Sequence, residues 1–440
     1  MVEVVTARTS EPDQRRVAGA LRAAGLGPGD RIALLLPASG GLLAAALGAL
    51  RTGVVPVMLD PALPARERAD LLADCRPGLV VDTPEALDRL LGGPPAELAP
   101  VPLARPMHYT SGTTGRRKGV WSGVLDEDAA RALLGEERVL WGFDDRDRHL
   151  VFSPLCHSAP LRFAIGTLMA GGTVLLPGRF AVDAILAAIA ERRPTTAFCV
   201  PTHLRRLFAA ADAGADLPRL DTFRLLAHAG EACPDTLKRR VVEAFPEGAV
   251  VEFYGSTEGQ FTVCTTDEWR ARPGTVGRTR PGRRLRTDAD GVIWCAVPEY
   301  ARFSYFGDPE KTAETWRGDE FTVGDVGRLD EDGYLYLDGR RGDLIITGGV
   351  NVYPREVERV LAECPGVAEV AVFGVDDEDW GQRLCAAVVG SATERDLHEF
   401  ARAHLVPARR PKEYHVVPEL PRTNTGKIRR VELPRLAARA

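Results

Sequence analysis

The first 275 residues alternate between short aliphatic runs and longer stretches with apolar residues at helical spacing. Runs typical of buried strands occupy residues 31–37, 78–83, 149–155, 172–178 and 196–201. Helical patterns occupy residues 41–53, 84–93, 181–193 and 202–211. Continuous apolar strands are usually covered on both faces. The alternation therefore predicts an α/β protein of mostly parallel sheets flanked by helices.

The pattern changes after about residue 275, where short runs typical of antiparallel strands follow one another. Asp–Gly pairs predict tight turns at Asp332–Gly333 and Asp338–Gly339. Beyond Gly342, strand and helix patterns alternate in a compact segment of about one hundred residues. We therefore predict a large N-terminal domain, residues 1–341, and a small α+β C-terminal domain, residues 342–440.

Composition narrows the class of protein. The chain has 440 residues, of which 45% are hydrophobic and 27% charged, so intrinsic disorder and a small disulfide scaffold are excluded. A formal net charge of -5 gives no field that would attract nucleic acid or an anionic membrane.

The eight cysteines form no CxxC pair and no zinc-binding spacing, which favours reduced thiols and a cytoplasmic location. Pro37 and Gly40 interrupt the longest uncharged stretch, so we expect no membrane span.

The strongest candidate for chemistry is the segment Tyr109–Gly119, YTSGTTGRRKG. Its glycines let backbone N–H groups curl around an anion, and its hydroxyl side chains can donate to phosphate oxygens. Lys118, one of only five lysines in the chain, adds a compact positive charge. Gly119 stands where a Walker A loop has Ser or Thr, so the segment is not that motif. A polyphosphate-binding loop is the favoured interpretation, and a flexible surface loop is the alternative.

This segment resembles the signature loop of the acyl-adenylate-forming (AMP-binding) superfamily, which includes acyl- and aryl-CoA synthetases. Further segments resemble motifs of that superfamily in the same order: PLCHSAP (154–160), LLAHAGEACP (225–234), FYGSTEG (253–259), FTVGDVGRLDEDGYLYLDGR (321–340), LIITGGVNVYPREVE (344–358) and PRTNTGKIRR (421–430). The resemblance covers nearly the whole chain. It implies that the large domain includes a small β-barrel-like part, and that the C-terminal domain is mobile about a hinge at Gly342.

The resemblance also implies a role for each matching residue. The catalytic residues would be Lys427, which contacts the substrate carboxylate and the α-phosphate, together with Glu258, His157 and Lys118. Glu258 would also bind Mg2+, a hard cation that prefers oxygen ligands. Tyr254 would stack on the purine, Thr257 would reach the α-phosphate, and Asp325 would accept the ribose hydroxyls. The remaining cofactor-binding residues would be Thr110, Ser111, Gly112, Thr113, Thr114, Gly115, Gly230, Glu231, Gly255 and Arg340 for ATP, and Gly348 and Gly349 for the thiol of CoA.

The implied reaction is ATP-dependent activation of a carboxylic acid as acyl-AMP, with release of pyrophosphate, followed by transfer of the acyl group to CoA. Three alternatives stay open: transfer to a carrier protein, transfer to an amine or activation of nitrite, and a non-catalytic AMP/ATP-binding role. Lys118, Glu258, Asp325 and Lys427 occur together, which favours an enzyme.

The acid pocket would be lined by residues 156–165, 198–203 and 253–261, whose apolar and small side chains suit an aryl or alkyl acid. The chain is short before the phosphate loop and between residues 274 and 325, relative to the superfamily pattern. These shortened regions leave the identity of the acid and of its acceptor open.

Overall fold

The structure is a computed structural model that describes residues 2–110, 117–422 and 428–437. Its contacts divide the chain into two compact units, each of which is described by itself. The first unit contains Met1–Ala232, Leu237–Leu285 and Cys295–Phe321, and the second contains Cys233–Thr236, Arg286–Trp294 and Thr322–Ala440. The predicted domain boundary at residues 341/342 stays a prediction.

The strands up to Phe321 are short, mostly of four residues. They are β1 (Glu3–Thr6), β2 (Arg31–Leu34), β3 (Val55–Met58), β4 (Leu79–Val81), β5 (Met107–Thr110), β6 (Lys118–Trp121), β7 (Arg148–Val151), β8 (Thr173–Leu176), β9 (Thr196–Cys199), β10 (Leu225–His228), β11 (Val250–Gly255), β12 (Gln260–Thr265), β13 (Arg278–Thr279), β14 (Arg284–Thr287), β15 (Ile293–Ala296), β16 (Ser304–Tyr305), β17 (Trp316–Arg317) and β18 (Glu320–Phe321).

The helices up to Phe321 lie between these strands. They are α1 (Ala7–Ala23), α2 (Gly40–Leu50), α3 (Ala65–Cys75), α4 (Pro84–Leu91), α5 (Glu127–Trp141), α6 (Ser158–Met169), α7 (Val182–Arg192), α8 (Pro201–Asp212), α9 (Asp235–Ala244), α10 (Thr266–Ala271) and α11 (Pro309–Thr315), with a 3-10 turn at Glu299–Ala301.

Two large sheets organise the first unit. One has eight strands in the order β1-β8-β7-β9-β10-β11-β12-β13, and the other has six in the order β16-β6-β5-β3-β2-β4. The inner strands of both sheets pair in parallel, and the antiparallel pairs lie toward the edges. Helix α2 is buried from Leu42 to Leu50 in the core beside the six-stranded sheet. The predicted α/β class is confirmed, and the strand predicted at residues 31–37 and the helix predicted at residues 41–53 correspond to β2 and α2.

The β-barrel-like part that the resemblance implies is corrected by the structure. At this place the described residues form an open four-stranded sheet in the order β14-β15-β18-β17. Strands β17 and β18 have two residues each, which is too short for the tilted, staggered pairing that closes a barrel.

The second unit contains a hairpin and a small five-stranded sheet. The hairpin pairs β19 (Asp325–Leu329) with β20 (Leu335–Arg340), and the sheet contains β21 (Ile345–Thr347), β22 (Val350–Val352), β23 (Val367–Asp377), β24 (Gly381–Gly390) and β25 (Glu413–Val416). The helices are α12 (Pro354–Leu361), α13 (Glu394–His404) and α14 (Pro434–Ala437), with 3-10 turns at Arg341–Asp343, Pro407–Arg409 and Arg430–Glu432.

Of the two predicted Asp–Gly turns, one is right and one is wrong. Asp332–Gly333 lies in the turn between β19 and β20, where Gly333 has a positive φ of 81°. Asp338–Gly339 instead lies within β20. A Cβ on Gly339 would come within 3.1 Å of the Tyr353 ring. Glycine at this position therefore allows a close approach between a strand and an aromatic ring, and it marks no turn.

None of the eight cysteines forms a disulfide bond, and six of them are buried. Burial raises the pKa of the Cys75 thiol to about 11 and that of the Cys156 thiol to about 12. These two thiols are therefore neutral near pH 7. Within the described residues, no helix is both long enough and apolar enough to cross a membrane.

Candidate functional site

The predicted phosphate loop connects two paired strands of the six-stranded sheet. Strands β5 and β6 pair antiparallel, with Thr110 opposite Lys118. Helix α3 contacts both ends of the loop: the Tyr109 hydroxyl donates to Asp74 Oδ2 at 2.6 Å, and Arg117 forms an ion pair with Glu67. The predicted residues Ser111, Gly112, Thr113, Thr114 and Gly115 lie outside the described residues.

Lys118 and Glu258, two of the predicted catalytic residues, are linked through a third side chain. The Tyr305 hydroxyl donates to Glu258 Oε1 at 3.0 Å, and Lys118 Nζ lies 5.2 Å from the centroid of the Tyr305 ring. Burial, followed by repulsion from Lys311, lowers the pKa of Lys118. A cation above an aromatic ring, with a carboxylate at the far end of that ring, is suited to phosphate and metal chemistry.

The turn that carries Glu258 is shaped by backbone contacts. Ser256 N donates to Gly259 O at 2.8 Å, and a Cβ on Gly255 would lie 2.7 Å from the same oxygen. Gly255 is therefore required by a close backbone approach. Just before the turn, the Tyr254 ring stacks on Phe261 with centroids 5.0 Å apart, and Thr257 is partly exposed.

Gly230 and Glu231 follow β10 at the carboxyl end of the eight-stranded sheet. Gly230 has a positive φ of 94°, which its lack of a side chain permits. Glu231 Oε1 accepts a hydrogen bond from Thr202 N at 2.5 Å, in the first turn of α8. Glu231 thus provides a hydrogen-bond acceptor for a backbone N–H group in the first turn of α8, where such groups have no partner within the helix.

His157 is half-buried and directly precedes α6. Its neighbour Cys156 offers its carbonyl oxygen to His108 Nδ1 at 2.9 Å, and burial lowers the pKa of His108 to about 4. The three predicted pocket-lining segments do meet: the rings of Phe163, Phe198 and Phe253 pack together with centroid distances of 5.5–6.4 Å.

In the second unit, Asp325 and Arg340 lie opposite each other at the open end of the β19–β20 hairpin. Arg340 Nε donates to Asp325 Oδ1 at 2.7 Å, and the carboxylate is buried. The predicted ribose carboxylate and the predicted arginine are therefore brought together as an ion pair.

Gly348 and Gly349 form the turn between β21 and β22, with φ of 56° and 77°. Gly348 N donates to Trp380 O at 2.8 Å, and a Cβ on Gly348 would lie 2.9 Å from the Trp380 ring. An open depression of about 660 Å³ adjoins this turn and is lined by Ile346, Asp376, Asp379, Trp380, Gly381 and Gln382 together with the two glycines.

Lys427 lies outside the described residues, but both ends of its segment are described. Arg422 pairs with Ile428 in an isolated antiparallel bridge. Arg422 Nη2 donates to Glu369 Oε2 at 2.5 Å, and Arg430 makes a two-pronged contact with Glu358 at 2.6 and 3.0 Å. These contacts hold the two ends of the lysine segment against β23 and α12.

Comparison with known families identifies the chain. The model described as AMP-binding enzyme matches residues 5–104 and 105–291, and the model for the C-terminal domain of that family matches residues 356–427. The chain belongs to the AMP-binding enzyme family. The predicted class, an AMP-forming ligase, is confirmed with it.

Individual members of the AMP-binding family match nearly the whole chain. A feruloyl-CoA synthase from Amycolatopsis is 34% identical over 96% of this chain and 91% of that protein. A fatty acid–[acyl-carrier-protein] ligase, ScoC, from Streptomyces coeruleorubidus is 32% identical over 96% of this chain and 89% of that protein.

Solved structures agree. ATP-bound MatB from Rhodopseudomonas palustris has a TM-score of 0.85 and 30% identity, covering 97% of this chain and 92% of that one. The amide bond synthetase McbA from Marinactinospora thermotolerans has a TM-score of 0.82 and 29% identity, covering 96% and 93%.

Tyr305 contacts two residues of the candidate site in this AMP-binding enzyme, and the sequence did not reveal it. It is 47 positions from Glu258 along the chain, and it reaches Lys118 because β16 pairs with β6. No local pattern encodes that pairing. The three aromatic residues in FSYFG (303–307) were the only signal in the sequence.

Within the described part of this AMP-binding enzyme, one single carboxylate and one cluster of side chains could bind a metal ion. Glu258 offers carboxylate oxygens at the predicted Mg2+ position and fits that hard cation. In the second unit, Cys385, Glu413 and His415 bring their ligand atoms within 4.8 Å of one another. Arg383 forms an ion pair with Glu413 at 3.2 Å. The negative charge of the Glu413 carboxylate is therefore compensated by a side chain of the protein.

Proposed function

We propose that this enzyme activates a carboxylic acid as acyl-AMP, with release of pyrophosphate, and then transfers the acyl group to the thiol of CoA. The observation that carries the proposal is the array of Lys118, Tyr305 and Glu258 at the base of the Ser/Thr/Gly loop. Membership of the AMP-binding family supports the same adenylating step.

The first half-reaction joins two anions, the carboxylate and the α-phosphate, so its barrier is largely electrostatic. Lys118 places a positive charge at the end of the loop and offsets the charge of the departing pyrophosphate. Tyr305 orients the Glu258 carboxylate by donating to one of its oxygens. Mg2+ held by Glu258 would supply further neutralisation of phosphate charge.

Lys427 is proposed to be the catalytic residue at the point where the substrate carboxylate attacks the α-phosphorus of ATP. Its ammonium would offset the negative charge that develops there. One preorganised charge of this kind is typically worth about 3 kcal/mol, or roughly a hundredfold in rate. Tyr254 is proposed to stack on the adenine, next to the turn that holds Thr257. The roles of His157, Gly230, Glu231, Asp325 and Arg340 stay as the resemblance implies them.

The acceptor is proposed to be CoA, with Gly348 and Gly349 admitting its thiol. The turn they form has no side chains, and it borders an open depression in the second unit. A carrier protein is the second candidate, because ScoC carries an acyl-carrier-protein ligase name. An amine is the third, because McbA is described as an amide bond synthetase.

The proposed hinge at Gly342 has a structural cost within the second unit. Gly342 lies in the turn Arg341–Asp343, after a strand whose Gly339 packs closely against Tyr353. Rotation about Gly342 would separate Gly339 from Tyr353. We expect Gly342→Pro to slow one half-reaction more than the other, measured by pyrophosphate exchange and by thioester formation. Equal rates of both half-reactions in variant and wild type would contradict a hinge at Gly342.

Acid-dependent exchange between ATP and labelled pyrophosphate tests the function as a whole. We expect exchange with a subset of an aryl and alkyl acid panel, followed by thioester formation when CoA is added. Exchange without thioester formation would redirect the acceptor to a carrier protein or an amine, each added in turn. A protein that binds ATP but shows no exchange with any acid would be a non-catalytic nucleotide-binding protein.

A further inference from the structure

A network of charged side chains lies behind the aromatic rings of the first unit. Glu137 pairs with Arg280 at 2.8 Å and with Arg162 at 3.6 Å. Glu136 pairs with Arg283 at 2.9 Å and with Arg280 at 3.3 Å. Arg280 also donates to Gln260 Oε1 at 3.2 Å, which links the network to β12. Arg105, whose Nη1 lies 3.4 Å from Ala301 O, interacts electrostatically with Arg162 and Glu137.

The charges of this network do not balance. Among the described residues its interactions connect four arginines, Arg105, Arg162, Arg280 and Arg283, with two glutamates, Glu136 and Glu137, for a formal charge of +2. The side chains of Arg280 and Arg283 are only 4% and 5% exposed. Burial and repulsion from Arg162 lower the pKa of Arg105 to about 10. An excess of buried positive charge is costly unless an anion joins it.

Arg162 is a member of the network whose surroundings suit an anion. Its side chain keeps 28% of its surface exposed, whereas that of its partner Glu137 keeps 10%. Its Nε is buried and has no hydrogen-bond partner, and the nearest Glu137 oxygen is 3.6 Å away. Its guanidinium lies 5.5 Å from the centroid of the Phe253 ring, which fixes its orientation.

The position of Arg162 ties it to the predicted acid pocket. It lies on α6, the helix that begins directly after His157. Phe253, the ring it covers, directly precedes Tyr254 on β11. Arg162 therefore lies within one of the three segments predicted to line the pocket, and it contacts another.

We propose that Arg162 binds a second anionic group of the acid substrate, so that this enzyme activates a dicarboxylic acid, or an aryl or alkyl acid bearing another acidic group. The inference rests on the proposed adenylating function and adds the class of acid. The reactive carboxylate attacks ATP, while the second carboxylate pairs with Arg162 and reduces the excess charge of the network from +2 to +1. An arginine fork matches the two oxygens of a carboxylate.

Pyrophosphate exchange with matched acids tests the proposal. The probes are malonate, succinate, glutarate and phthalate, each beside its monomethyl ester and beside the acid that lacks the second group. We expect at least one diacid to exceed its monoester in kcat/KM by roughly 10- to 100-fold, the range for a hydrogen-bonded charge pair. Arg162→Gln should abolish that preference with an unchanged KM for ATP, and Arg162→Lys should restore part of it.

A second readout separates binding from a structural role. Because Arg162 adds to an excess of like charge, Arg162→Gln should leave the melting temperature of the free protein unchanged or higher. The preferred diacid should raise the melting temperature of wild type and of the control Arg206→Gln, but not that of Arg162→Gln. Arg206 is a suitable control because it also lies over a ring, Phe180 at 5.6 Å, and is exposed.

The outcomes are distinguishable. Exchange that is as fast with monoesters as with diacids would overturn the inference and leave the proposed function in place. A large fall in the melting temperature of Arg162→Gln would also overturn it, since that arginine would then be structural. Exchange with none of these acids, but with other acids of the aryl and alkyl panel, would overturn the inference alone. Exchange with no acid of either set would reject the proposed function itself, and the inference with it.

Discussion

The segment after Thr110 and the segment before Ile428 are flanked by residues that are held in different ways. The first is flanked by two strands inside a six-stranded sheet, which pair at three successive positions, from His108–Val120 to Thr110–Lys118. The second is flanked by a single bridge between Arg422 and Ile428. The described residues on either side of it also form two ion pairs, Arg422 with Glu369 and Arg430 with Glu358.

The difference predicts how the position of each segment depends on the folding of the unit that carries it. Backbone pairing within a sheet persists as long as the sheet is folded, so Thr110 and Lys118, which flank the undescribed residues 111–116, are fixed by the fold itself. Side-chain ion pairs can be removed one at a time without breaking a sheet. The anchoring of the Lys427 segment is therefore separable from the folding of the unit that carries it, and mutations can test this separation.

The largest expected effect lies in the chemistry of the second loop. Lys427→Ala should lower pyrophosphate exchange about a hundredfold or more, because one preorganised charge of this kind contributes about 3 kcal/mol. The melting temperature should stay at the wild-type value. Lys412→Ala is the control, since Lys412 lies over the Trp380 ring in the same unit. Near-wild-type exchange in a folded Lys427→Ala protein would defeat the assignment.

The next effect is on the anchoring itself. Removing one partner of a buried ion pair costs about 3–5 kcal/mol, and the 23% exposure of the Arg430 side chain places Arg430→Gln at the lower end. Hydrogen exchange should become faster around α12 and β23, where Glu358 and the Val372 carbonyl lose their partner. The strands β5 and β6 should keep wild-type protection. Faster exchange in both units would contradict the separation.

A smaller effect is expected at the base of the first loop. Tyr305→Phe keeps the ring near Lys118 but removes the hydroxyl that donates to Glu258. The loss of a hydrogen bond to a charged group should cost about 1.5 kcal/mol, or about tenfold in kcat/KM, with a higher Mg2+ requirement. Tyr336→Phe, which removes a hydroxyl in the second unit, serves as the control. An unchanged Mg2+ dependence would show that the Tyr305 hydroxyl has no role in metal binding at Glu258.

The smallest effect is a shift in pH dependence. Lys118 must be protonated to neutralise phosphate, so ATP binding should weaken as the pH rises through its pKa, which burial and Lys311 both lower. Lys311→Met removes the repulsion and raises that pKa. The rise in KM for ATP should therefore move to higher pH, by less than about one unit because exposed charges are screened. A shift to lower pH would rule out this cause.

Sequence patterns predicted the elements well where the signal is local. The run 31–37 became β2 and the stretch 41–53 became α2, since apolar periodicity and the Ser39 cap act over a few residues. Asp338–Gly339 failed as a turn because Tyr353, fourteen residues further on, sets its environment.

The residues of the candidate site also differ in whether a local sequence signal predicts them. Lys118 and Glu258 stand in recognisable motifs, whereas Tyr305 and the arginines around Glu137 do not. Tyr305 depends on the pairing of β16 with β6, and Arg280 approaches Glu137 from 143 positions away along the chain. Contacts of that range follow from topology, which a single sequence does not specify residue by residue.

The burial of the cysteines has a practical consequence for an enzyme proposed to handle a free sulfhydryl cofactor. A protonated, enclosed sulfur such as that of Cys75 or Cys295 reacts slowly with disulfides, so mixed disulfides with oxidised CoA should form poorly on these side chains. A chromogenic thiol reagent added to the native protein should consequently report consumption of the cofactor with little background from these buried positions.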